Sequence, residues 1–205
     1  MPGKINRTRL KAFIARRKTN SLGLSIITAA SALITLICAM TACRRAQTPG
    51  TTPGTSGGPT NLGGMKLSAI VDAIYANHPM ELPLGTIDVD LRDSYAVKSY
   101  LGLDSSDKIA EAVASESMLG AQAYSLVLCR VKNAADAPAV AQQMRDGIDQ
   151  RKWVCVNADD LMVSACGDVV MLVMISSDYA ETGTAASLTD AFKKVCGTEL
   201  TTQIR

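Results

Sequence analysis

All nineteen Asp and Glu residues of this chain lie beyond Met65, and that segregation limits what can fold. Residues 1–64 carry nine Lys or Arg and no acid. They read as a basic apolar leader followed by a Gly/Pro/Thr tract, and neither shows the periodic mixture of apolar and polar side chains from which a packed element is built. Only residues 65–205 have that mixture throughout, so a single domain is expected there, long enough to bury a core of its own. With two Phe and one Trp in the whole chain, the core must be aliphatic and Met-filled. Twelve basic against nineteen acidic residues leave this domain at −7. A nucleic-acid surface needs the opposite sign to neutralise phosphates, so no nucleic-acid partner is expected.

The leader, residues 1–43, has the layout of an export signal. Lys4, Arg7, Arg9, Lys11, Arg16, Arg17 and Lys18 precede an apolar run over about 22–42. The run ends in Met40-Thr41-Ala42-Cys43, which resembles the lipobox of bacterial lipoproteins, and this implies acylation of Cys43 after cleavage. Met40 stands where Leu is usual, the run is long for a signal, and Arg44-Arg45 follows the Cys directly. An uncleaved anchor is therefore the rival, because roughly 20 apolar residues span a bilayer as a helix; a plain cleaved secretory peptide is a third reading. In the anchored forms the heavier basic cluster stays inside and the C-terminal domain is placed outside. Cys38, within the apolar run, fills space. Residues 44–64 form a flexible tether, since Gly removes backbone preference and Pro blocks pairing. The glycines make no phosphate loop, for no strand precedes them and no Gly-Lys-Ser/Thr is present.

Within the domain, Leu67, Ile70, Val71 and Ile74 recur at helical spacing and predict a helix over 66–77, broken at His78-Pro79. A short helix is expected over 93–101, capped by Asp93 and stopped by Gly102. Strands follow at about 110–118 and 124–132, then a long helix capped by Asp136, with Pro138 in its first turn and Ala137, Val140, Ala141, Met144 and Ile148 on one face. The Gly167-Asp168 pair marks a hairpin between apolar strands over 160–176. A last helix over 184–196 ends at Gly197.

The order ααββαββα predicts an α+β domain, a two-layer sandwich of an antiparallel-rich four-stranded sheet with helices packed on it. The link from the second strand through the long helix to the third reads as a right-handed crossover that sets those two strands parallel. The lipobox-like Cys43, the Thr/Gly/Pro tether, the strand Tyr124-Ser-Leu-Val-Leu-Cys-Arg-Val-Lys132, the helix ending near Arg151 and the strand Val169-Val-Met-Leu-Val-Met-Ile175 together resemble a family of uncharacterised exported lipoproteins of Gram-positive anaerobes, defined by a domain of unknown function. That resemblance implies a small α/β domain outside the membrane and transfers no functional residue.

Candidate chemistry is sparse. His78 is the only histidine, which excludes a multi-histidine zinc site and leaves one imidazole base, at a helix end where a capping role is the ordinary one. Cys129, Cys155, Cys166 and Cys196 permit two disulfides in three connectivities in an oxidising compartment, or equally serve as small apolar core residues that stay reduced. The carboxylate pairs Asp88/Asp90, Asp159/Asp160 and Asp104/Asp107 lack supporting ligands and read as solvated or capping groups. Trp153 with Tyr75, Tyr95, Tyr100 and Tyr124 suggests a sugar-binding platform, against the commoner reading of core and boundary aromatics. No catalytic, metal or cofactor constellation stands out. The sequence points to a membrane-anchored, non-enzymatic binding or assembly module of the cell envelope, its partner an envelope protein or ligand. The alternative is an envelope hydrolase or thiol enzyme whose site combines His78 with a domain cysteine.

Overall fold

The computed structural model describes residues 62–205. The leader, Cys38, Cys43 and the tether up to residue 61 lie outside the described residues. The described chain forms one six-stranded sheet in the order β1-β2-β3-β5-β4-β6, with every neighbouring pair antiparallel. The strands are β1 (Leu84–Asp88), β2 (Ile109–Ser117), β3 (Tyr124–Val131), β4 (Asp160–Cys166), β5 (Val169–Ile175) and β6 (Thr202–Ile204). The helices are α1 (Leu67–Asn77), α2 (Ser94–Ala96), which runs into a π-helical turn at Val97–Leu101, α3 (Ala137–Gly147) and α4 (Ala185–Cys196).

The α+β class and the antiparallel sheet are as expected, but the sheet has six strands and not four. The two unforeseen strands are the sheet edges. β1 is half-buried to exposed along Leu-Gly-Thr-Ile-Asp, and β6 is only Thr-Gln-Ile, so neither carries the buried alternation by which a strand is recognised. The layering differs too. β5 is buried at every position, with Val169, Met171, Val173 and Ile175 packed towards α1 and α4, and Val170, Leu172 and Met174 packed towards α3. A strand apolar on both pleat faces needs a cover on each. Helices accordingly lie on both sides of the sheet, in place of the single helical layer of a two-layer sandwich. β3 and β4 each pair antiparallel with β5 and so run parallel to each other, as the crossover through α3 suggested, with β5 between them.

Local signals explain the element ends. Thr184 and Ser187 form a reciprocal capping box at α4, and Gly197 closes that helix at φ 68°. The Asp93 carboxylate accepts from the Tyr95 amide, and Gly102 ends the π turn at φ 70°. Asp136 is not the cap expected of it: the Asn133 side chain caps a preceding 3-10 turn, and Asp136 instead pairs with Lys108 at 2.7 Å. Leu62, placed by composition in the tether, is fully buried beside α1 and α4, and the turn from it to Met65 leads into α1. Among the described residues no helix is long and apolar enough to cross a membrane.

Candidate functional site

One backbone contact shapes the most distinctive cleft. Gly102, ending the π turn, touches Gly147, ending α3, so closely that a Cβ on Gly147 would stand 2.0 Å from the Gly102 carbonyl oxygen. Any larger residue would force the two segments apart. Beyond Gly147 the chain makes a loop closed at its neck in both directions: the Ala158 amide donates to the Gln150 carbonyl at 2.9 Å, and the Gln150 side-chain amide donates to the Ala158 carbonyl at 2.6 Å. The loop turns its Trp153 and Val156 onto the α3 side of the sheet and leaves Val154 81% exposed. Its Cys155 has φ 68°, a left-handed conformation that costs a side-chain-bearing residue on the order of 1 kcal/mol or more.

This loop, the π turn and β2 enclose a cleft of about 450 Å³. Its aromatic surfaces are Tyr95, Tyr100 and Trp153. The Lys152 ammonium lies 4.9 Å from the Tyr100 ring centre and 5.2 Å from that of Trp153, within the range of cation–π attraction. Below the rings it pairs with Glu116, which also accepts from the Ser125 hydroxyl at 2.7 Å, and it reaches the Ser99 carbonyl at 3.4 Å. Lys152 is 11% exposed and Glu116 24%, so this is a partly desolvated pair held between two aromatic faces. Burial pushes the Tyr100 phenol above its ordinary pKa, with the Glu116 charge adding to the effect. Around the rim stand Lys98, Asp149 and Arg151. The arrangement offers flat apolar faces next to fixed donors and acceptors, open to solvent.

The five aromatics considered as one platform are therefore divided. Tyr95, Tyr100 and Trp153 meet at the cleft, whereas Tyr75 and Tyr124 are packed on the opposite face of the sheet, their hydroxyls 3.0 Å apart. Burial raises the pKa of both phenols. Composition gave no sign of Lys152 and Glu116. Strand parity carries a signal for the latter: Ala112, Ala114 and Glu116 share one face of β2, and an acid at an inward position asks for a partner.

The remaining candidates are dispersed. The His78 ring meets the Ser187 hydroxyl at 3.3 Å, at the N-terminal end of α4. Cys196 ends the same helix, nine residues further on and so about 14 Å away along its axis. Cys166 packs in the same cluster as Cys196, Cys129 faces α3 from the other side of the sheet, and Cys155 is on the loop of the cleft. No cysteine among the described residues is a hydrogen-bond partner of His78. Asp90 is exposed and paired with Arg92, Asp104 with Lys98; Asp159 accepts from the Ser177 amide at 2.7 Å, which holds its carboxyl below the usual range. Asp160 accepts from the Ala185 amide at the start of α4. These are capping and surface roles. Among the described residues no group of three His, Cys, Asp or Glu side chains converges as metal ligands do.

Fold and site define a class, an antiparallel α+β domain covered on both faces and carrying a solvent-open aromatic cleft. Comparison with protein-family models, with curated proteins and with solved structures finds no match to this chain.

Proposed function

We propose that this is a membrane-tethered binding module of the cell envelope, non-enzymatic, whose cleft at Tyr95, Tyr100 and Trp153 takes a saccharide. The leader and tether support the address: a basic apolar signal ending at Cys43, followed by a Gly/Pro/Thr segment, carries a folded domain away from the membrane on its outer face. The observation that carries the ligand class is the pinning of Lys152 between Tyr100 and Trp153 over Glu116. Sugar rings present apolar C–H faces that stack on aromatic planes and hydroxyls that exchange hydrogen bonds with charged groups beside them. Fixed rings and fixed charges lose little freedom on binding, which favours affinity.

Trp153 is the only tryptophan in the chain, so its fluorescence reports the cleft directly. Titration of the detergent-extracted full-length protein with the N-acetylglucosamine–N-acetylmuramic acid disaccharide should change its emission saturably, and Tyr95→Ala and Lys152→Met should weaken binding at least tenfold. An emission spectrum unmoved by this disaccharide and by longer wall glycans would refute the saccharide reading. The anchor is tested separately by intact mass: loss of the residues before Cys43 with an added acyl mass is expected, and an intact N-terminus would show an uncleaved helix in its place.

A further inference from the structure

We propose that Cys166 and Cys196 form a disulfide site: given a disulfide-bearing oxidant they join in one bond that staples the end of β4 to the end of α4, while Cys129 and Cys155 join no other cysteine of the domain. Cys166 is the last residue of β4 and Cys196 the last of α4. Both are fully buried in the same apolar cluster between the sheet and α4, near enough that each thiol shifts the other's titration. The chain leaving Cys196 is fixed to the residue beside Cys166. Gly197 turns it back, and at Thr201 both the amide, at 2.8 Å, and the hydroxyl, at 3.0 Å, donate to the Ala165 carbonyl. β6 then continues by pairing Thr202 with Ala165. The ends of β4 and α4 that carry the two cysteines are thus tied by the sheet on one side and by the return of the C-terminal segment on the other.

Among the described residues the other two cysteines have no such partner. Cys129 faces α3 across the sheet, on the face opposite Cys166 and Cys196, where its thiol contacts the Met144 sulfur at 3.7 Å and burial pushes its pKa up to about 12. Cys155 is exposed on the loop of the cleft. Of the three ways to pair four cysteines, the one that contains Cys166–Cys196 fits the fold only in that bond, for its companion between Cys129 and Cys155 would join a core thiol to a surface one.

The chemistry is thiol–disulfide exchange. The Cys166 thiol gives up its proton, aided by the neighbouring Cys196, which lowers its pKa, and the thiolate attacks one sulfur of the oxidant and expels a thiolate. The Cys196 sulfur then loses its proton and attacks the mixed disulfide, expelling the second. One S–S bond forms in the protein as one breaks in the oxidant; two electrons pass to the oxidant, and the two protons end on its thiols. Access opens at the exposed Gly197 end of α4. The bond closes a loop containing β5 and α4, which restricts the unfolded chain and raises the unfolding midpoint, on the order of 10 °C for a loop and domain of this size.

The test uses full-length protein in detergent, held in glutathione disulfide or in reductant, alkylated, then cleaved after Lys and Arg and before Asp. Cys155, Cys166 and Cys196 then fall on separate peptides, 153–158, 160–167 and 195–205. Oxidised protein should yield peptide 160–167 joined to 195–205, with Cys129 alkylated and the exposed Cys155 either alkylated or carrying glutathione, but joined to no other peptide. Recovery of Cys166 and Cys196 as alkylated thiols, or joined to any other cysteine, would overturn the proposal. A melting comparison is independent of the mapping: the rise on oxidation should vanish in both Cys166→Ala and Cys196→Ala, and its persistence in either is equally fatal. Both variants should keep the saccharide response of Trp153, so failure of the staple and failure of the binding reading are separate results.

Discussion

The two faces of the sheet start from consecutive residues and end as opposites. On β2 and β3, Ser115 and Tyr124 point towards α1, while their neighbours Glu116 and Ser125 point towards the cleft. On the α1 side Tyr75 donates to Ser115 at 2.8 Å and lies 3.0 Å from the Tyr124 hydroxyl, so three polar groups satisfy one another under a closed apolar cover. On the other side the Glu116–Ser125 pair meets a lysine brought by a surface loop, and two aromatic rings leave the space above it open. Pleat alternation alone decides which of two adjacent polar residues becomes structural and which becomes part of a site. What the covering segment supplies decides whether the site stays closed.

The largest effect should separate the two faces outright. Phe192→Ala, in the closed cluster beneath α4, should destabilise the domain by about 4 kcal/mol and leave saccharide affinity per folded molecule unchanged. Trp153→Ala, at the half-buried edge of the cleft, should cost only about 1 kcal/mol in urea unfolding, yet lower affinity at least tenfold by calorimetry. Equal losses of stability from the two changes would mean that the cleft is ordinary core.

Next in size is the charged floor. Lys152→Met leaves Glu116 without its ammonium in a partly desolvated place and should cost about 2 kcal/mol. Adding Glu116→Gln should restore most of that stability without restoring binding. A double variant no more stable than the single one would show that the pair holds the cleft together through geometry and not through charge.

A pH series probes the closed face. Burial raises the Tyr124 phenol well above its ordinary value, with Tyr75 adding to the shift, so the folded protein keeps this proton where the unfolded chain gives it up. The contribution is complete below the unfolded pKa of about 10 and is lost as pH rises from there through the folded value. Tyr124→Phe should therefore lessen the fall in urea midpoint between pH 9 and pH 11, roughly 1 kcal/mol of it. An unchanged alkaline slope would assign the loss to other groups whose pKa is raised, among them Tyr100 and Cys129.

Most of the domain's framework is legible in the sequence because it repeats a physical period or a stop signal. The α1 stripe, the Gly167 hairpin, the Asp93 cap and the Gly102 and Gly197 stops all match local chemistry to local structure, whereas the Asp136 cap does not form. What escaped depends on distant partners. β1 and β6 are strands only because β2 and β4 pair with them. The second helical layer was implicit in β5, apolar at every position, but reading it requires asking what covers each face. Three of the five platform aromatics do converge; that Tyr75 and Tyr124 do not, and that Lys152 and Glu116 join them, follows from strand parity and from a loop whose path no periodicity describes.

That loop also yields the finest test. Cys155 holds a left-handed backbone although it carries a side chain, and its neighbour Val154 is the most exposed large apolar residue described. Strained backbone clusters at binding sites, so the loop beside this open cleft is a place to test whether its shape matters to what binds. Cys155→Gly should relieve the strain and stabilise the domain by about 0.5 kcal/mol, while the added backbone freedom weakens saccharide affinity two- to threefold. Cys155→Val, which tolerates φ 68° least, should lower stability by about 1 kcal/mol. If glycine raises stability and leaves affinity untouched, the loop is a passive rim, and the contrast between the two faces reduces to the rings and the charged pair alone.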